Sequence, residues 1–134
     1  MKRGFTIIEL LVVMAIIGML ASVILVVFSG VQAKSRDTRR IEDVREMQKA
    51  LSLYYVDGNR FPQAPSPVTI TGSDAVSTAL VNAGAIPAVS PDPVTPDFDY
   101  TYQATSSGFY TITFCLETDS IPNFVEGCGN SVSP

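Results

Sequence analysis

Gly4-Phe5-Thr6-Ile7-Ile8-Glu9-Leu10-Leu11-Val12-Val13 opens the stretch on which the reading of this chain turns. Ahead of it stands a basic tip, Met1-Lys2-Arg3, and behind it the apolar run continues to Phe28 with Glu9 as its one charge. A helix that crosses hydrocarbon needs roughly 20 apolar residues, and this run of about 24 meets that length. A lone carboxylate in such a segment costs on the order of a few kcal/mol near the bilayer centre, less near its edge. Glu9 is therefore a functional-site candidate that requires a partner.

The rest of the 134 residues leaves room for one small domain. No proline precedes Pro62, and all nine lie from there onward. Charge divides as sharply. Lys34, Arg36, Arg39, Arg40, Arg45 and Lys49 follow the apolar run, whereas from Asp57 onward eight acidic residues face a single base, Arg60. The net charge of −4 thus combines a basic stalk with an acidic head. Histidine and tryptophan are absent, which removes the usual general base and the commonest zinc ligand; no enzyme and no cofactor is expected.

Cys115 and Cys128 are the only cysteines. A head this small gains from a staple, and a bond between them would close a loop of about 14 residues, worth roughly 3 kcal/mol in the chain-entropy model. That pairing implies an oxidising compartment; two unrelated free thiols are the alternative.

Helical spacing continues past the apolar run. Ile41, Val44, Met47, Gln48, Leu51, Tyr54 and Tyr55 form one stripe, while Arg39 with Asp43, Glu42 with Arg45, and Glu46 with Lys49 are spaced to pair on the helix surface. One helix of about 50 residues, near 75 Å long, is expected from Phe5 to Val56. Asp57-Gly58-Asn59 ends it. Gln63 to Thr71 reads as a loop, Ser73 or Asp74 as the cap of a short helix through Asn82, and Pro87 to Pro96 as a second loop. Phe98, Tyr100 and Tyr102 alternate with polar residues, as do Tyr110, Ile112, Phe114 and Leu116. These form a β-hairpin turning at Thr105 to Gly108, with its aromatic face toward the helix stripe. The tail from Thr118 reads as irregular.

A secretory signal has a shorter core, and a plain anchor leaves Glu9 unexplained. The segment from Gly4 to Val13 resembles the type III signal of type IV prepilins and of the pseudopilins of type II secretion. The resemblance covers about residues 1–62, through Arg39-Arg40-Ile41-Glu42-Asp43-Val44 and on to Leu53-Tyr54-Tyr55-Val56-Asp57-Gly58-Asn59-Arg60-Phe61-Pro62. It implies an α+β pilin fold: one long N-terminal helix packed against a small antiparallel β head. The divisions are then a leader at 1–4, a filament-core helix at 5–29, an amphipathic helix at 30–56 and the head at 57–134. It implies cleavage after Gly4 by a prepilin peptidase, N-methylation of Phe5, and a Glu9 that neutralises the N-terminus of a neighbouring subunit. It also implies a homo-polymer, a membrane assembly platform with a cytoplasmic ATPase, and a bilayer that holds the subunit first. The mid-run proline of many type IV pilins, near Val26 here, is missing.

Counting basic flanks does not orient the span, with two bases before it and four from Lys34 to Arg40 after it. The cysteine pair and the resemblance place the head outside the bacterial inner membrane, in a surface or periplasm-spanning filament. The cysteine loop near the C-terminus is similar to that of pilins and tilts the reading toward a type IV pilus subunit. The major pseudopilin of a type II secretion system is the alternative, and a membrane-anchored extracellular binding module a distant third. Asp92, Asp97 and Asp99 are weak calcium candidates whose spacing does not match a calcium loop. Nucleic acid at the Lys34 to Arg40 cluster is a weaker reading than pairing with nearby acids.

Overall fold

The computed structural model describes residues 4–134; Met1, Lys2 and Arg3 of the expected leader, and the side chains of Leu25 and Val26, lie outside the described residues. The architecture is α+β, with a long helix α1 at Ile7–Gly58, a strand β1 at Ala64–Thr69, a helix α2 at Ala75–Asn82, and strands β2 at Thr101–Ser106, β3 at Phe109–Leu116 and β4 at Gly127–Val132. The chain divides into two units, one ending at Ala33 and one running from Lys34 to Pro134.

In the first unit the described side chains from Ile7 to Gln32 are all exposed. Ile7, Leu11, Met19 and Val27 each show more than half of their surface. A helix this apolar is long enough to cross a bilayer. In the second unit the expected stripe goes inward: Ile41, Val44, Met47, Ala50 and Leu51 are buried in one core with Tyr100, Tyr102, Tyr110, Ile112, Phe114 and Leu116. Burial of each large apolar side chain contributes about 1.5–3 kcal/mol. Past Gly58 the helix stops at Asn59, which takes a left-handed φ of 48° while its N–H still reaches the Tyr55 carbonyl at 2.7 Å.

The sheet is antiparallel in the order β1-β2-β3-β4. β2 and β3 are the expected hairpin, in register with Tyr102 opposite Ile112 and Thr101 opposite Thr113. Rings bridge it to the end of α1: Tyr55 to Phe61 and Phe61 to Tyr110, each pair 4.7 Å apart. Two stretches depart from the sequence reading. Ala64–Thr69, expected as loop, is β1 at the sheet edge, where Pro65 and Pro67 are tolerated around a bulge between Ala64 and Val68. Gly127–Val132, expected as irregular tail, is β4, paired along β3 with Asn130 opposite Phe114 and Ser131 opposite Thr113. Asp74, not Ser73, caps α2, its carboxylate accepting from the N–H groups of Val76 and Ser77. Gly72 is fixed twice over, by a φ of 82° and by Val89, whose carbonyl oxygen would lie 2.7 Å from any added Cβ.

Cys115 and Cys128 are joined and face one another across β3 and β4, thirteen positions apart in sequence. β4 carries two glycines and little apolar surface, so the bond supplies what propensity does not. Replacing both cysteines by serine is expected to remove about 3 kcal/mol of stability and to free β4 first. Urea unfolding and amide exchange of the full chain in detergent measure both effects; unchanged protection at Asn130 and Val132 would show that the strand holds without its staple.

Candidate functional site

The helix tip is built locally. Thr6 precedes the first helical residue and Glu9 stands three positions on. The Glu9 carboxylate accepts from the Thr6 N–H at 2.9 Å and from the Thr6 hydroxyl at 2.8 Å, while the Glu9 N–H donates to Thr6 Oγ1 at 3.3 Å. This is a capping box, a pattern legible as Thr-x-x-Glu, and it adds a named partner, Thr6, to the first-turn anion. The box satisfies two backbone donors and sets the anion at the positive end of the helix dipole. Phe5 is exposed beside it, after an exposed Gly4.

The second unit holds an ion cluster that the sequence reading did not assemble. Arg36, Asp37 and Arg40 occupy one face of α1, and the Arg40 side chain is fully buried. Its guanidinium grips Asp92 through two bonds of 2.6 and 3.1 Å, reaches Asp37 at 2.8 Å and Glu117 at 2.6 Å, and lies 4.6 Å over the ring of Phe98. Arg36 closes on the other side of the Glu117 carboxylate. Asp37 also accepts from the Glu117 N–H at 2.9 Å and the Thr118 hydroxyl at 2.8 Å. One helix turn is thereby bound to the loop before β2 and to the end of β3, beside Cys115. Among the described residues no buried side-chain polar atom lacks a partner. The clue in the sequence was the spacing Arg36-Asp37-Arg40 set against the acidic surplus of the head.

Electrostatics follow from that packing. The hydrogen bond from Arg36, joined by Arg40 and outweighing burial, brings the Glu117 carboxyl down to about 2. Burial alone lowers the Arg40 guanidinium, yet its bonds to Asp92 and Glu117 win and its pKa rises. Asp43 was expected on the outer face with Arg39. It does approach Arg39 at 4.0 Å, but it also accepts the Tyr100 hydroxyl at 3.0 Å, and burial raises its pKa.

The calcium candidates are not brought together. Both oxygens of Asp92 are spent on Arg40, one of them also accepting the Val94 N–H at 2.7 Å, and no group of three or more ligating side chains occurs among the described residues. The charge of Asp92 is thereby met by Arg40.

Residues 1–25 match the family described as the prokaryotic N-terminal methylation motif. The chain is 36% identical over 61 residues to the type II secretion system core protein G of Pectobacterium carotovorum subsp. carotovorum, covering 46% of this chain and 39% of that one. It is 34% identical over 92 residues to the core protein G of Aeromonas hydrophila, covering 69% and 56%. With the core protein G of Klebsiella pneumoniae it shares 27% over 135 residues, covering 96% and 94%. The type IV major fimbrial protein FimA of Dichelobacter nodosus is 33% identical over 60 residues, covering 45% and 38%. The chain thus spans about two-fifths and somewhat over half of the first two relatives. No solved structure matches it.

Arg40→Met would leave Asp37 and Asp92 buried without their cation and is expected to cost about 3–5 kcal/mol, read as a lowered urea midpoint. Arg40→Lys recovers little of it, since an ammonium cannot reproduce the two-pronged bond to Asp92. Acid acts through Glu117. Its folded pKa lies below the ordinary 4.5, so its contribution is complete above about pH 4.5 and is lost as pH falls toward 2. The Glu117→Gln chain should be less stable at pH 7 and lose less between pH 4.5 and 2.5; parallel pH profiles for the two proteins would refute this assignment.

Proposed function

Because the chain belongs to the family of type IV pilins and type II secretion pseudopilins, we propose that it is the major pseudopilin of a type II secretion system, a structural subunit that polymerises through its N-terminal helix. The observation that carries this choice is the run of core protein G relatives, one of them matched along 94% of its length. The cysteine loop tilted the sequence reading toward a type IV pilus subunit. The fimbrial relative keeps that as the second reading, although its match covers 45% of this chain.

The proposed course starts in the membrane. The α1 segment up to Ala33 lies in the bilayer with the head outside. A prepilin peptidase cuts between Gly4 and Phe5 and the new amine of Phe5 is methylated. The assembly platform with its cytoplasmic ATPase then moves the subunit into a homo-polymer, where apolar helix faces replace lipid. Glu9 has a definite task in this scheme. In the isolated subunit its carboxylate is held by Thr6. Leaving water for a helix bundle without a cation is costly, whereas a neighbour's Phe5 ammonium removes that cost. The capping box keeps the anion at the helix tip until the partner arrives.

Three outcomes test this. Gly4→Leu should leave the chain uncut, and Glu9→Ala should be cut and methylated normally yet fail to assemble. Mass spectrometry of the N-terminal peptide, beginning at methylated Phe5 or at Met1, reads the first; sedimentation of filaments reads the second. Abundant processed chain in the sheared surface fraction at native expression would decide for the pilus. Its confinement to the membrane fraction, with loss of exported proteins on gene deletion, supports the pseudopilin. An uncut Met1 in the wild type would refute both.

A further inference from the structure

The head has a shallow concavity of about 340 Å³ lined by Arg45, Gln48, Lys49 and Ser52 of α1, Tyr110 of β3 and Ser133 after β4. It is cationic. Arg45 and Lys49 are exposed, and neither has a carboxylate within ion-pair distance among the described residues. Gln48 is fixed on the other side, donating to the Ser133 carbonyl at 3.5 Å. One turn beyond Lys49 the same helix face continues with Leu53 and Val56, exposed by 56% and 80%. The surface is therefore a pair of unpaired cations beside bare apolar side chains.

The complementary surface lies at the other end of the same strands. Between β3 and β4, Val125 is 67% exposed and Glu126 is exposed, with no base on its carboxylate among the described residues. Their backbone is held rigidly. The Val125 N–H donates to Asn130 at 3.0 Å, the Val125 carbonyl accepts from Asn130 at 2.8 Å, and the Glu126 N–H donates to Asp119 at 2.6 Å. The Cys115–Cys128 bond closes the loop behind them. An anion beside an exposed apolar residue, on a preorganised backbone, matches the concavity in both charge and polarity.

One copy cannot bring the two together. From Tyr110 at the concavity to Leu116 at the loop β3 advances six residues, about 20 Å at strand spacing. We propose that the Val125-Glu126 loop of one subunit docks in the Arg45–Lys49 concavity of a second copy of this chain, an extra contact between heads. Because the two surfaces differ and sit at opposite ends, the contact is head-to-tail and leaves each copy with a free loop and a free groove, the condition for an open helical polymer. The inference rests on the polymer reading above and adds to it a contact outside the apolar helix.

Charge reversal tests it in the intact, processed chain with its assembly machinery. Glu126→Lys and Lys49→Glu are each expected to lower filament yield about tenfold or more, while the double variant restores most of it. Because both positions are exposed, N-terminal processing and protease resistance of the heads should stay as in the wild type. Should a reversal disturb folding, Glu126→Gln and Lys49→Gln provide the milder pair, each lowering yield by a smaller factor. Full yield from the single variants, or reversals that the double variant does not rescue, would overturn the contact while leaving the polymer reading intact. So would rescue of Lys49→Glu by Asp97→Lys, which would name the 97–99 loop as occupant. Absence of polymer from the wild type would overturn the polymer reading itself.

Discussion

The guanidinium of Arg40 decides how the head is put together. It carries one positive charge into a fully buried position, and a charge there is tolerable only when anions and hydrogen bonds compensate it. Meeting that requirement draws Asp92 from the loop before β2, Glu117 from the end of β3 and Asp37 from the helix itself into one cluster. Apolar stripes alone leave a helix free to slide or rotate upon a sheet, because burial is non-directional. The bidentate grip on Asp92 and the paired bonds of Asp37 to Glu117 and Thr118 are directional, and they set the register of α1 against both loops. Removing Arg40 leaves Asp37 and Asp92 buried without their cation, which makes the cluster a fastening of high cost to open.

The helix tip holds polar groups that are satisfied only provisionally. Thr6 and Glu9 complete one another, so the isolated subunit carries no orphan donor at the first turn and a carboxylate that the helix dipole favours. The described apolar side chains that follow, from Leu10 to Val31, are exposed. A surface of that extent is stable in lipid or against copies of itself, and unstable in water. In the proposed filament the exchange of lipid for neighbouring helices is close to neutral in hydrophobic terms. The specificity then has to come from polar groups, and Glu9 is the one charge available to supply it.

Legibility in the sequence followed the strength of local signals. The long helix, its stripe and its stop at Asn59 were readable because periodicity over many turns is hard to mistake. The β2–β3 hairpin was readable from alternating Tyr, Ile and Phe. β1 and β4 were not. Pro65 and Pro67 argue against a strand except at an edge, and being an edge is a tertiary fact; Gly127 and Gly129 argue against β4, which is held by pairing with β3 and by Cys128. The site divided in the same way. Gly4, Phe5 and Glu9 form a local motif, whereas of the partners of Arg40 only Asp37 is local, and Asp92 and Glu117 lie 52 and 77 residues away. Asp92 was singled out as a carboxylate in a turn, and the structure pairs it with Arg40.

Charge segregation along the chain takes on a consistent meaning once these pairings are removed from it. Of the basic stalk, Arg36 and Arg40 are consumed by the head's own acids and Arg39 leans on Asp43. Asp74 is consumed as a helix cap, and Asp92 and Glu117 as the acids of the cluster. Arg45 and Lys49 on the helix and Asp97 and Glu126 on the head remain exposed, with no ion pair among the described residues. Glu42 and Glu46, spaced to meet Arg45 and Lys49 on the helix, are exposed too and form no ion pair among the described residues. Exposed pairs add little to the stability of a monomer, about 0–1 kcal/mol each, but between identical subunits they recur at every repeat and fix how far each copy is displaced from the last. The buried ions therefore define the subunit, and the ions left over are the ones able to define its spacing in a polymer.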